Sequence, residues 1–159
     1  MSRLRLSGTG MRLTLFTDYA IRVLLYLAAR PDRLCSIAEV ARTYRISQNH
    51  LMKVVNDLAR SGYIESVRGR RGGIRLGKPP EDINIGVLVR HTEEGFNLVD
   101  CASCLIAPAC GITGLLKEAI LAFLAVLDRY SLADVMGQRR DLARLLGQEP
   151  GSLLEQQTL

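Results

Sequence analysis

No apolar run in this 159-residue chain approaches the roughly 18 residues that a membrane-spanning helix needs. The basic start, MSRLRLSGTG, lacks the apolar core of a secretory signal, so a cytoplasmic protein with reduced thiols is expected. Only two histidines are present, His50 and His91, with no nucleophile–base constellation and no nucleotide motif around them. An enzyme is therefore not expected. Internal repeats and low-complexity tracts are missing as well. Cysteine is scarce: there are four, and three of them fall within the stretch CASCLIAPACG. Three thiols are too few for a closed four-thiolate site and an odd number for a disulfide framework.

Apolar residues make up 48% of the chain, enough for one folded domain with at most an appendage. The net charge of +5 is unevenly spread. From Arg42 to Lys78, nine Lys and Arg stand against two acids, Asp57 and Glu65, which leaves the remainder slightly acidic. A local excess of this size points to a polyanionic partner rather than to a merely solvated basic face.

Residues 1–10 are expected to be a disordered extension, with Met11 as an alternative start. LTLFTDYAIRVLLYLAAR carries apolar residues at helical spacing and stops before Pro31. Ser36, with Glu39 three residues on, is a capping-box signal for a second helix. After the tight turn YRIS, Ser47 is placed to cap a third helix with Leu51, Val54, Val55 and Leu58 on its buried face. Gly62 ends that helix at a left-handed position. YIESV, RGRRGG and IRL then read as a two-stranded hairpin with arginines at its tip.

Asn84 caps a short helix expected to end near Gly95. ITGLLKEAILAFLAVLDRY is a long helix whose apolar set is too wide for one contact, so it is expected to pack on its own domain and on a second subunit. Ser131 and Asp134 form a further capping box that opens a last short helix, and the tail after Gly147 is expected to be flexible. The expected fold is mainly α with a small β-hairpin. A winged helix-turn-helix DNA-binding region spans 11–80, a cysteine loop and dimerisation helices span 81–146, and 147–159 form the tail.

In a winged helix-turn-helix the second helix of the pair enters the major groove with its N-terminal residues near base edges. Those residues here are Ser47, Gln48, Asn49 and His50, with Lys53 one turn on to meet a phosphate. Ser47 can also serve as a plain cap and His50 as a solvated surface residue. Arg68, Arg70 and Arg71 at the hairpin tip repel one another, a cost that an anionic backbone removes. One such head reads only a few base pairs, so a two-fold dimer on a palindromic double-stranded operator is expected.

The cysteine spacing is Cys101-x2-Cys104-x5-Cys110, with His91 or Asp100 as candidate fourth ligands. Zinc, an iron–sulfur cluster and a reversible Cys101–Cys104 disulfide all remain open. A loop with small neighbours (Ala102, Ser103, Ala107, Ala109), just before a long helix, suits a reachable sensor better than a closed structural site.

MRLTLFTDYAIRVLLYLA, ISQNHLMKVVNDLARSGYIESVRGRRGGIRLGKPPEDINIGVLVR and FNLVDCASCLIAPACGITGLLKEAILAFLAVLDRYSLADV resemble the nitric-oxide-sensing repressors of the winged-helix family that includes the iron–sulfur regulator IscR. The similarity runs from about Met11 to Gly147 and takes in both the DNA reader and the cysteine loop. The resemblance implies a homodimeric repressor of nitrosative-stress genes carrying one iron–sulfur cluster per subunit, 2Fe–2S or 4Fe–4S. It places thiolate ligands at Cys101, Cys104 and Cys110. In some members the fourth ligand is an aspartate of the first helix of the other subunit, and the matching residue is Asp18. Taken by itself, Asp18 is an acid favoured near a helix N-terminus by the macrodipole. The IscR pattern has a histidine where Thr113 stands, and the Cys101–Cys104 spacer is shorter than the family usually has.

Overall fold

Leu15–Ala28 (α1), Ile37–Tyr44 (α2) and Gln48–Arg60 (α3) form the first three helices of the computed structural model, which describes residues 11–137 and 139–147. The stretches 1–10 and 148–159, expected above to be an extension and a tail, lie outside the described residues. Thr14 caps α1, its hydroxyl accepting from Thr17 N. The α1 face of Ala20, Val23, Leu24 and Leu27 is buried against Leu51, Val54, Val55 and Leu58 of α3. Burying each such aliphatic side chain contributes about 1.5–3 kcal/mol, which makes this pairing the centre of the core.

The Ser36 hydroxyl accepts from Glu39 N at 3.1 Å, as the capping-box spacing predicts. Glu39 also receives Arg33 (2.8 Å) and the Tyr26 hydroxyl (3.2 Å), tying α2 to α1. Arg45 takes a left-handed conformation (φ 55°) at the turn, and Ile46 N bonds Ala41 O at 3.0 Å. The turn is thus closed by main chain. Ser47 stands at the N-cap of α3, but its side chain makes no cap bond, which corrects the expected capping role.

Ile64–Val67 (β1) pairs antiparallel with Gly73–Leu76 (β2), Ile64 opposite Leu76 and Val67 opposite Gly73. Cys35 adds a bridge to Ile74, exchanging both main-chain bonds at 2.8 and 2.9 Å. That approach requires Gly73, because a β-carbon there would come within 2.7 Å of Cys35 O. The wing is therefore fixed at its base to the segment between α1 and α2.

Ile85–Thr92 (α4) is capped by Asn84, which accepts from Val87 N at 3.0 Å. It ends three residues before Gly95, because Glu93 turns extended and carries its carboxylate to the start of α1. Ile112–Leu127 (α5) follows the cysteine loop. The predicted last helix is two helices, Leu132–Val135 (α6) and Arg139–Gly147 (α7), with Gly137 left-handed between them (φ 56°). The Ser131–Asp134 capping box at the start of α6 is formed in both directions. Ile83, Leu88, Leu124 and Leu132 join the α1–α3 core, so apolar packing runs unbroken from the winged helix into α4 and the ends of α5 and α6. Among the described residues no helix is long and apolar enough to cross a membrane.

Candidate nucleic-acid interface and cysteine loop

Ser47, Gln48, Asn49 and His50 occupy the N-cap and first turn of α3, and all four are exposed. The apolar stripe of α3 faces the core, so this turn and Lys53 are left on the outer face. His50 and Lys53 line a shallow apolar notch with Leu15, Phe16 and Tyr19 of α1. At the wing, Gly69 (φ 114°) allows a turn closed by Gly72 N to Gly69 O at 2.9 Å. Arg68, Arg70 and Arg71 are exposed on that turn and, among the described residues, meet no acid. Arg75, lower on β2, pairs with Glu65 at 2.9 Å. Among the wing's arginines, those at the tip are thus uncompensated, whereas Arg75 is paired.

The cysteine loop is a run of turns: Cys104 N to Cys101 O at 3.4 Å, Ala107 N to Cys104 O at 3.2 Å, and Cys110 N to Ala107 O at 3.3 Å. All three thiols are free and reachable, with Cys104 exposed and Cys101 and Cys110 half-buried. Cys101 Sγ lies 3.1 Å from Thr113 Oγ1 on the first turn of α5. Cys101 also borders an open cleft of about 700 Å³ lined by Phe96, Leu98, Val99, Leu116 and Ile120. Among the described residues no three His, Cys, Asp or Glu side chains converge into a ready cation cage. The donor set fits an iron–sulfur group by chemistry: three soft thiols on one accessible loop with small neighbours.

The other candidate ligands are differently placed. Asp18 is on α1, in an ion pair with Arg22 at 2.9 Å. Asp100 turns back on its own loop, accepting from Ala102 N (3.1 Å) and Ser103 Oγ (2.8 Å). Those bonds, the Ser103 hydroxyl first, hold its carboxyl below the usual range. His91 faces Asp57 of α3 at 2.7 Å. Cys35 is fully buried at the wing base, and burial pushes its thiol up to about 11. Along α5 only Leu124 is buried, while Leu115 is 61% and Leu121 58% exposed. Leu105 at the loop tip is 94% exposed. Sequence periodicity did not reveal Glu93 or His91 as joints; their partners lie 30 to 79 residues away in the chain.

The family model Rrf2, described as an iron-dependent transcriptional regulator, matches residues 13–138. The helix-turn-helix-type transcriptional regulator NsrR of Bacillus subtilis strain 168 is 54% identical over 142 residues, covering 86% of this chain and 97% of its own. A crystal structure of a transcriptional regulator from Listeria innocua superposes with a TM-score of 0.70 at 27% identity, covering 82% of this chain and 90% of that one. The IscR structure from T. potens has a TM-score of 0.66 at 23% identity over 80% of this chain and 87% of its own, which shows a shared fold. These relatives are regulators of transcription, not enzymes. By a family match over most of its length and a relative of more than half identity, the chain belongs to the Rrf2 family of transcriptional regulators.

Proposed function

We propose that this protein is a cytoplasmic, homodimeric repressor that binds a palindromic operator and releases it when nitric oxide reaches an iron–sulfur cluster on the Cys101–Cys110 loop. The observation that carries the reading is the juxtaposition on one chain of three reachable thiols and a long helix, α5, whose apolar face is left exposed next to them. The resemblance of the reading head and the cysteine loop to nitric-oxide-sensing repressors supports nitric oxide as the signal.

In this reading Ser47, Gln48, Asn49 and His50 meet base edges, while Lys53, Arg68, Arg70 and Arg71 meet phosphates. Residues 11–80 form the reading head. Cys101, Cys104 and Cys110 supply three ligands, with Asp18 of the other subunit as the fourth. The exposed faces of α5 from two copies cover each other. A bound cluster, 2Fe–2S or 4Fe–4S, supplies iron that reacts with nitric oxide. The chain's part is to hold three thiolates at the start of α5, so that losing their fixed geometry shifts the loop and the dimer seam. A coupling of 1–3 kcal/mol between loop and heads changes operator affinity by about 5–150-fold.

The test is the visible absorption spectrum of protein purified without oxygen, before and after nitric oxide, with operator binding followed in the same titration. Iron–sulfur bands that bleach or shift as binding falls support the reading. A colourless protein that reconstitutes with neither iron nor sulfide overturns it and leaves zinc or thiol oxidation on the same loop.

A further inference from the structure

Three residues at the C-terminal end of α4 fasten that helix to three other elements. Arg90 holds Asp128, just past α5, through two bonds of 2.5 and 2.7 Å. Glu93 Oε1 accepts from Thr14 N (2.8 Å) and the Thr14 hydroxyl (3.0 Å) at the start of α1. Between them, His91 Nε2 lies 2.7 Å from Asp57 Oδ2 and 3.0 Å from Ser61 Oγ, at the end of α3. A carboxylate only accepts, so Nε2 carries the hydrogen. The Ser61 hydroxyl donates to Asp57 O at 3.0 Å.

We infer that His91 is a positioning residue for the reading helix: through Asp57 it fixes the rotation of α3 about its own axis, and with it the aim of His50 and Asn49. The inference rests on the DNA-binding reading of α3 proposed above. His50, Lys53 and Asp57 are spaced three and four residues apart, so they share one stripe of α3. The buried stripe of Leu51, Val54, Val55 and Leu58 holds α3 down, but apolar burial is non-directional and tolerates small rotations. The His91–Asp57 bond is directional. Arg60, the other partner of Asp57, is 3.8 Å away with its side chain 80% exposed and gives no comparable constraint.

A helix with its side chains has a radius of about 5–6 Å, so a rotation of about 10° moves a side-chain tip by about 1 Å. That exceeds the spread of good hydrogen-bond lengths to a base edge. Long arginines meeting phosphates from the wing tolerate it. Loss of His91 therefore separates sequence-specific binding from non-specific binding.

The experiment uses full-length protein and two probes: a duplex selected by the wild type from a randomised library, and the same duplex scrambled. His91→Ala is expected to weaken binding to the selected duplex about five- to thirtyfold while the scrambled duplex changes less than about twofold. His91→Gln, whose amide can still donate to Asp57, recovers most of the loss. His91→Ala combined with Asp57→Asn is little worse than either alone, since both remove one bond. Circular dichroism confirms that each variant is folded. Equal losses on both duplexes, no loss on the selected one, or fully multiplicative single effects overturn the inference. A wild type that cannot tell the selected duplex from the scrambled one overturns the DNA-reading proposal together with it. Discrimination by the wild type that survives in His91→Ala overturns the positioning role alone.

Discussion

Gly86 of α4 packs directly against Asp128 at the end of α5: a β-carbon at position 86 would overlap Asp128 Oδ1 and come within 2.9 Å of the Asp128 backbone nitrogen. The contact is possible because Arg90, one turn along α4, draws the Asp128 carboxylate toward itself. Asn84 Nδ2 donates to Asp128 O at 2.7 Å, and Ile85 N to Tyr130 O at 2.9 Å. Two neighbouring helices are thus joined through polar groups across a glycine.

Gly86→Ala is accordingly expected to destabilise the fold, although alanine is the better helix former. The helix-propensity gain of about 1 kcal/mol is outweighed by overlap with a carboxylate and a backbone nitrogen, leaving a net cost of about 1–3 kcal/mol. Urea unfolding checks this. A midpoint equal to or above the wild type shows that α5 can move away without loss. Arg90→Ala, by comparison, removes a half-exposed ion pair and is expected to shift the midpoint less.

The start of α1 carries a second joint. Thr17 is fully buried, its hydroxyl 2.8 Å from Thr92 Oγ1 and 2.5 Å from Glu93 Oε1. Thr17→Val keeps the shape and removes the hydroxyl, leaving Thr92 and Glu93 with fewer partners. A loss of about 1–3 kcal/mol is expected. Glu93→Ala removes the acceptor shared by Thr14 N and the Thr17 hydroxyl and a negative charge at a helix N-terminus, a loss of about 1 kcal/mol. A double variant whose loss falls clearly short of the sum indicates one shared network; full additivity would separate the two sites.

The sequence made some of these features legible and hid others for physical reasons. α1, α2, α3 and the wing are set by local signals: apolar periodicity, Ser36 three residues before Glu39, Gly62 at φ 77°, and glycines at the hairpin turn. The exposure of the first turn of α3 and of the arginine tip follows from the same periodicity. The spacing of Ser47 is right for a cap, yet its side chain makes no cap bond and the Arg45 turn is closed by main chain instead. The local pattern carries α4 toward Gly95, but the helix stops at Thr92 because Glu93 bonds a partner 79 residues away. The division between α6 and α7 turns on Gly137, which pattern alone did not distinguish from a helical residue. Cys101, Cys104 and Cys110 could be named as donors, but how they are arranged depends on contacts beyond the chain's local pattern.

Thiol chemistry should sort the four cysteines. Cys104 is exposed, and Cys101 and Cys110 are half-buried, so all three should alkylate in native, metal-free protein at pH 8, with Cys104 first. Cys35 should react only on unfolding, since burial raises its thiol from the ordinary 9.0 to about 11. The sign of the linked effect follows. The folded state keeps this proton while the unfolded thiol ionises, so the stabilisation is complete below pH 9.0 and is lost as pH rises toward about 11. Peptide mapping of the alkylated protein reads the order. A Cys35 that labels as fast as Cys104 in the folded state would mean the wing base opens readily.

Arg70 sits at the wing tip with no acidic partner among the described residues, whereas Arg75 is already paired with Glu65. Arg70 is therefore available to replace counterions on a phosphate, and Arg75 is largely neutralised before DNA arrives. Arg70→Ala should weaken binding to all duplexes alike and lower the slope of log affinity against log salt by about 1 for each subunit in contact. Arg75→Ala should change the slope less, because a guanidinium already held by Glu65 displaces no counterion from the backbone. Titrations at several salt concentrations distinguish the two. A slope unchanged by Arg70→Ala removes this residue from the phosphate contacts, and a slope lowered equally by Arg75→Ala shows that the Glu65 pair opens on binding.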